Sequence, residues 1–186
     1  MKVVCDRAAL LEAVNLVAGV VPTRSPSPQL ACMKLTARTR DDGSGELTLA
    51  GTDAETSLHL SVLRVDVAEG GEAVVDGAKF RQIVTAEEGD QTLTLELEGE
   101  QLQIRGENAR FRIYTYPASE YPKLPDFAAA VEGGGADAAR TVFTQDAGSL
   151  LDLIDRSTFA TARETSRYAI NGVLMKRDGK TLEFVA

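Results

Sequence analysis

The side chains equipped for chemistry are few and scattered. His59 is the one histidine of the 186-residue sequence, and it takes a polar-face position in the alternating stretch 56–65. Cys5 and Cys32 stand in apolar surroundings without CxxC spacing, which reads as two reduced core thiols and a reducing, cytoplasmic compartment. One histidine and no cysteine pair make a metal site unexpected, and no cofactor is expected either. Asp53 and Glu55 are close, but carboxylates beside a strand end are ordinarily solvated or turn-forming. No phosphate-cradling glycine loop and no nucleophile elbow occurs. A non-catalytic protein is expected. What remains is cationic: Arg24 in the loop PTRSPSP, Arg167 with Tyr168, and Arg7, Lys79 and Arg81 on two helical segments. Such groups are either solvated surface charges or phosphate contacts, which need only charge and donors and carry no base information. The formal net charge of −8 argues against a simple basic surface binder. It argues less against a protein whose positive field is confined to a channel.

The elements that must position these cations alternate between two periods. Residues 6–20 are helical, with Leu10, Leu11, Val14, Val17 and Val21 at three- and four-residue spacing, Asp6 as N-cap and Gly19 near the end. Residues 22–28 form a loop, because Pro22, Pro26 and Pro28 cannot continue a helix. Strands are expected at 29–39, 46–50 and 56–65, then a second helix at 77–86 with Phe80, Ile83 and Val84 on its apolar side and Asp76 as cap. Strands at 92–97, 101–105 and 109–116 follow. The order predicts an α+β unit, two helices with mostly antiparallel strands. The opening residues carry no signal-segment pattern, so none is expected, and no stretch is long and apolar enough to span a membrane as a helix.

Residues 128–139, AAAVEGGGADAA, break this pattern. They read as a Gly/Ala-rich linker, or alternatively as a short Ala-rich helix broken at Gly133–Gly135. The expected organisation is a complete first domain at 1–127, the linker at 128–139, and the start of a second domain at 140–186. The last assignment rests on a repeat. Asp6 meets Asp146, Leu10 meets Leu150, Val14 meets Ile154 and Leu30 meets Ile170, each 140 positions on. After a shorter turn, Leu47 meets Leu182 and Leu49 meets Phe184 at a separation of 135. The second copy is expected to be incomplete, with its second strand left unpaired on one side.

Read in order, MKVVCDRAALLEAV at the start, LTLAGTDAE at 47–55, VVDGAKFRQIV at 74–84, ARFRIYTYPASEYPKL at 109–124 and RYAINGVLM at 167–175 resemble the bacterial DNA polymerase III beta subunit, the sliding-clamp family. The resemblance implies an α+β fold of repeated domains, each with two helices packed on antiparallel sheets. It implies a ring of two head-to-tail chains of three domains each, with helices lining the hole and strands forming the rim. It implies double-stranded DNA as a partner, bound without sequence preference, with the replicative polymerase and the clamp loader as protein partners. By the same resemblance Arg24, Arg167 and Tyr168 contact DNA, while Arg7 and Arg81 add positive field. Lys79, Arg110, Phe111 and Ile113 belong to the dimer interface, and Ile170 to the groove for partner peptides. Phe111 reads equally well as a core position. The sequence departs from the family at Ala169, where a tyrosine is usual, at Glu164, often neutral, and in a long linker. The competing reading is a non-enzymatic α+β module that oligomerises through sheet edges and has no DNA role.

Overall fold

The structure is a computed structural model that describes residues 1–87, 89–125, 143–162 and 171–186. The chain divides into two compact units, Met1–Pro125 and Asp126–Ala186. The expected linker lies outside the described residues.

In the first unit, helix initiation follows one local rule. Asp6 closes β1 (Lys2–Asp6), stays extended at φ −60° and ψ 121°, and accepts a hydrogen bond from Ala9 N at 2.8 Å, which opens α1 (Arg7–Ala18). Asp76 closes β6 (Gly71–Asp76) and accepts from Lys79 N at 2.8 Å, opening α2 (Gly77–Ala86). A carboxylate there satisfies an orphan N–H and faces the positive end of the helix dipole. The two starts lie 70 residues apart. Leu10 and Val14 on one helix correspond to Phe80 and Val84 on the other, and all four are fully buried. This shorter repeat divides the unit into two halves of similar plan.

The remaining strands are β2 (Cys32–Thr39), β3 (Gly45–Thr52), β4 (Ser57–Val62), β5 (Val65–Glu69), β7 (Thr92–Glu98), β8 (Gln101–Arg105) and β9 (Arg110–Tyr116). They pair antiparallel in the order β4-β3-β2-β6-β9-β8-β7-β1-β5. The halves are interlocked: β1 pairs with β7 of the second half, and β6 pairs with β2 of the first. β9 is shared, pairing with β8 along Arg110–Tyr114 and with β6 only through Thr115 and Tyr116. The helices lie side by side, α1 over β3 and β4, α2 over β2 and β6. Between helices and sheet is one core that includes Val3, Leu10, Val14, Leu35, Leu49, Phe80, Leu95 and Ile104. The alternating strands supply every second residue to it.

Three expectations shift. The strand expected at 29–39 begins at Cys32, because Pro28 opens a 3-10 turn over Pro28–Ala31. The strand expected at 56–65 ends at Val62, and Val65 starts a separate strand that crosses to β1. Residues 71–76, read only as part of a motif, form a central strand whose Ala73, Val74 and Val75 are buried.

The second unit reproduces the opening of the first. Asp146 accepts from Ser149 N at 2.8 Å and starts α3 (Ala147–Thr158). β10 (Leu174–Asp178) and β11 (Thr181–Val185) form an antiparallel hairpin. At the offsets of 140 and 135, these strands fall within β2 and β3. Ile154, the counterpart of buried Val14, is 39% exposed, and Leu151 is 58% exposed. β11 packs on this helix as β3 packs on α1, but among the described residues α3 has no counterpart of α2 or β4 beside it.

Candidate nucleic-acid interface

The outer surface of the two helices gathers cations from separate parts of the chain. Lys79 and Arg81 are exposed on α2, with Gln82 and Thr85 beside them. Arg81 Nε donates to Asn15 Oδ1 on α1 at 2.8 Å, which fixes its guanidinium between the helices. Arg24 is exposed in the loop that leaves α1. That loop is anchored locally: Ser27 N donates to Ser25 Oγ at 3.1 Å, and Val21 N donates to Val17 O at 3.2 Å. Neither Arg24 nor Lys79 has a carboxylate partner among the described residues. Glu12 is the one acidic residue inside α1, and α2 contains none. Asp6 and Asp76 flank the helices but are occupied as caps. The acidic excess of the chain is carried elsewhere, in the β2–β3 turn, the 53–55 turn, and strands β5 and β7 with their turns. The helical face is therefore locally acid-poor on an acidic protein, and the local field, not the net charge, decides what binds there.

Arg7 differs from the other cations. It is half-buried at the start of α1, its terminal nitrogen donates to Thr85 O on α2 at 3.2 Å, and its Nε is buried without a hydrogen-bond partner. It ties the start of one helix to the end of the other.

A second surface lies along β9. Arg110–Tyr114 use one backbone edge on β8, and their other edge has no strand partner among the described residues. Arg110, Arg112 and Tyr114 point to solvent, Tyr114 at 73% exposure. Ile113 is buried in the core, and Phe111 is half-buried against the same core. Phe111 is thus both a core-packing side chain and a member of an open edge. Residues Arg167, Tyr168 and Ile170 lie outside the described residues.

Sequence reasoning missed Tyr121. It is buried against Cys32 and Val74, and its hydroxyl donates towards Ala50 O at 3.3 Å and Cys32 O at 3.4 Å. The segment after β9 is thereby fastened across β2 and β3. Its only sequence signal is a tyrosine followed by proline, which does not distinguish a clasp from a surface turn.

Candidates for catalysis stay apart. Burial, with a smaller contribution from Asp6, pushes the Cys5 thiol up to about 12. Burial, with Asp76 adding, pushes Cys32 to about 11, and Cys32 donates to Pro28 O at 3.3 Å. Both are poor nucleophiles at neutral pH. Asp53 is held below the usual carboxylate range by the Thr56 and Glu55 amides, so it serves the turn. A widely open hollow of about 520 Å³ lies between α1 and β4 and is lined by Ala8, Leu16, Leu60 and Leu63 with Glu12, Ser61 and Arg64.

The family described as "DNA polymerase III beta subunit, N-terminal domain" matches residues 1–125. The beta sliding clamp of Pseudomonas aeruginosa is 34% identical over 181 residues, covering 97% of this chain and 45% of that protein. The beta sliding clamp of Escherichia coli K12 is 30% identical over 186 residues, covering 100% of this chain and 47% of that protein. The crystal structure of the Pseudomonas aeruginosa DNA polymerase III subunit beta superposes with a TM-score of 0.78 at 32% identity, over 98% of this chain and 45% of that one. The chain spans a little under half the length of the relatives it matches.

Proposed function

The chain belongs to the DNA polymerase III beta subunit family, and from that premise we propose that it is the N-terminal part of a DNA sliding clamp. The clamp encircles duplex DNA and confers processivity on the replicative polymerase. The observation that carries this reading is the acid-poor helical face. Lys79 and Arg81 are exposed on α2, and Arg24 on the loop that leaves α1, on a chain of net charge −8.

Sliding demands contacts that hold the duplex central yet exchange quickly. Exposed arginines on a loop and a helix meet this need, since phosphate contacts carry no sequence information and weaken with salt. Arg24 and Arg81 contact phosphates, and Arg167 and Tyr168 repeat the Arg24 role in the second unit. Arg7 acts through the field, because its guanidinium is committed to Thr85. The open edge of β9 is the dimer interface. Arg110 and Phe111 meet the second copy with side chains, Ile113 contributes backbone, and Lys79 supplies an ion pair at the rim. Ile170 belongs to the groove that receives peptides from the polymerase and the clamp loader. The role needs no catalytic group and no cofactor, and it is carried out in the cytoplasm.

The test uses the full-length protein that carries this segment, loaded on nicked circular DNA. Encirclement predicts retention that is lost when the circle is linearised. Equal retention on both forms would return the reading to a surface binder or to an oligomerising module. Replacing Arg24 and Arg81 by alanine should flatten the salt dependence of binding, by roughly 0.9 in log–log slope for each phosphate that is no longer neutralised.

A further inference from the structure

The turn between α2 and β7 holds two carboxyl groups that face each other. Asp90 is 8% exposed, and its Oδ2 accepts from Glu107 N, in the β8–β9 turn, at 3.0 Å. Glu87 caps the C-terminus of α2. A Cβ on Gly106 would overlap Asp90 Oδ2 and lie 2.6 Å from Glu87 Oε2. Both carboxyls therefore converge over the one residue of that turn that has no side chain. Oxygens of the two carboxyls thus lie close to each other, and a direct carboxyl–carboxylate contact needs one proton. Asp90 Oδ2 is already engaged by the Glu107 amide, and Glu87 is the carboxyl held above the usual range, so the proton resides on Glu87.

A second group stands nearby. The buried Nε of Arg7 has no partner, although its terminal nitrogen bonds Thr85 O, two residues before Glu87. We infer that Glu87 is a proton-controlled latch. Protonated, it bonds Asp90 and pins the α2–β7 turn against the β8–β9 turn; ionised, it is repelled by Asp90 and swings to Arg7 Nε. Among the described residues, the charged groups acting on Glu87 are Asp90 from its own turn and Arg7 from α1; Glu107 contributes its amide, its side chain being exposed. Burial, the bond to Asp90 and the charge of Asp90 raise the Glu87 carboxyl above the usual range, and Arg7 opposes them. The latch is therefore fully made below the ordinary carboxylate value and is lost as pH rises through the raised one. The pinned turn leads directly into Arg110, the first residue of the open β9 edge, so the latch controls the order of that edge.

Carboxyl-detected NMR on the 186-residue chain tests this. Glu87 should titrate above an ordinary glutamate, and the Glu107 amide shift should move with it. As pH rises through that titration, protection of the Glu107 amide, corrected for intrinsic exchange, should fall about two- to tenfold, the range that one net hydrogen bond supports. Glu87→Gln donates an amide to Asp90 at every pH, so it should keep Glu107 protected and abolish the step. Arg7→Met should raise the Glu87 midpoint. The proposal is overturned if Glu87 titrates as a free carboxylate with the Glu107 amide unmoved, if Glu87→Gln keeps the wild-type pH profile, or if Arg7→Met leaves the midpoint in place.

Discussion

Gly51 on β3 faces the end of α1, and replacing it with alanine should shift the helix end that leads to Arg24. The added Cβ would fall 2.6 Å from Val21 Cγ2 and 2.7 Å from Val17 Cγ1. Ordinary carbon–carbon separation is about 3.5–4.0 Å, so about 1 Å must be found. Val17 is fully buried and Val21 nearly so, and neither methyl can turn out into solvent. The end of α1 must lift or the valines must leave their rotamers, at a cost of about 1–3 kcal/mol. For a unit of this size each kcal/mol lowers the melting temperature by about 3–5 °C. Gly51→Ala should therefore melt roughly 3–15 °C below wild type by circular dichroism. The decisive arm is Val17→Ala. In the wild-type background it should cost about 2 kcal/mol through the cavity it leaves. In the Gly51→Ala background it removes the obstructing methyl, and its cost should fall by at least about 0.5 kcal/mol, a coupling expected for residues that touch. A Gly51→Ala protein as stable as wild type, or a Val17→Ala cost identical in both backgrounds, would refute the packing argument.

Other outcomes rest on single hydrogen bonds or single buried groups. Tyr121→Phe removes the hydroxyl that reaches Ala50 O and Cys32 O, and should cost about 0.5–1.5 kcal/mol in chemical denaturation while leaving the strands intact. Asp76→Ala unmakes the α2 cap and should cost about 1 kcal/mol, with Asp76→Asn largely restoring it. Glu46 is held below the usual carboxylate range by its bond from Ser61 and then by Arg38. Its stabilisation is therefore present above the ordinary carboxylate value and lost as pH falls through the lowered one, and Glu46→Gln should flatten the acid side of a stability–pH curve. Cys5 and Cys32, raised by burial, should resist a thiol reagent at pH values near 8 in the native protein and react at once in denaturant. A fast native reaction of either one would contradict its burial.

What the sequence determined by itself was local. Three-and-four spacing from Leu10 to Val21 marked α1, Asp6 and Asp76 marked the helix starts, and alternation marked most strands. These signals are legible because their partners lie within four residues, as Asp6 with Ala9 N does. The 140-residue repeat was equally legible, since a recurring pattern needs no knowledge of what touches what. The cations were visible as residue types, but their environments were not. Arg81 could not be seen to bond Asn15, nor Arg7 to reach Thr85, because the groups they meet are 66 and 78 residues away. The same distance hid the exchange of strands between halves. Alternation tells which face of a strand is buried, and that face looks the same whether β1 pairs with β2 or, as it does, with β7. Only the packing of both helices on one sheet chose the partner, and that choice left one edge of β9 open and laid α1 beside α2, where Arg81 reaches Asn15.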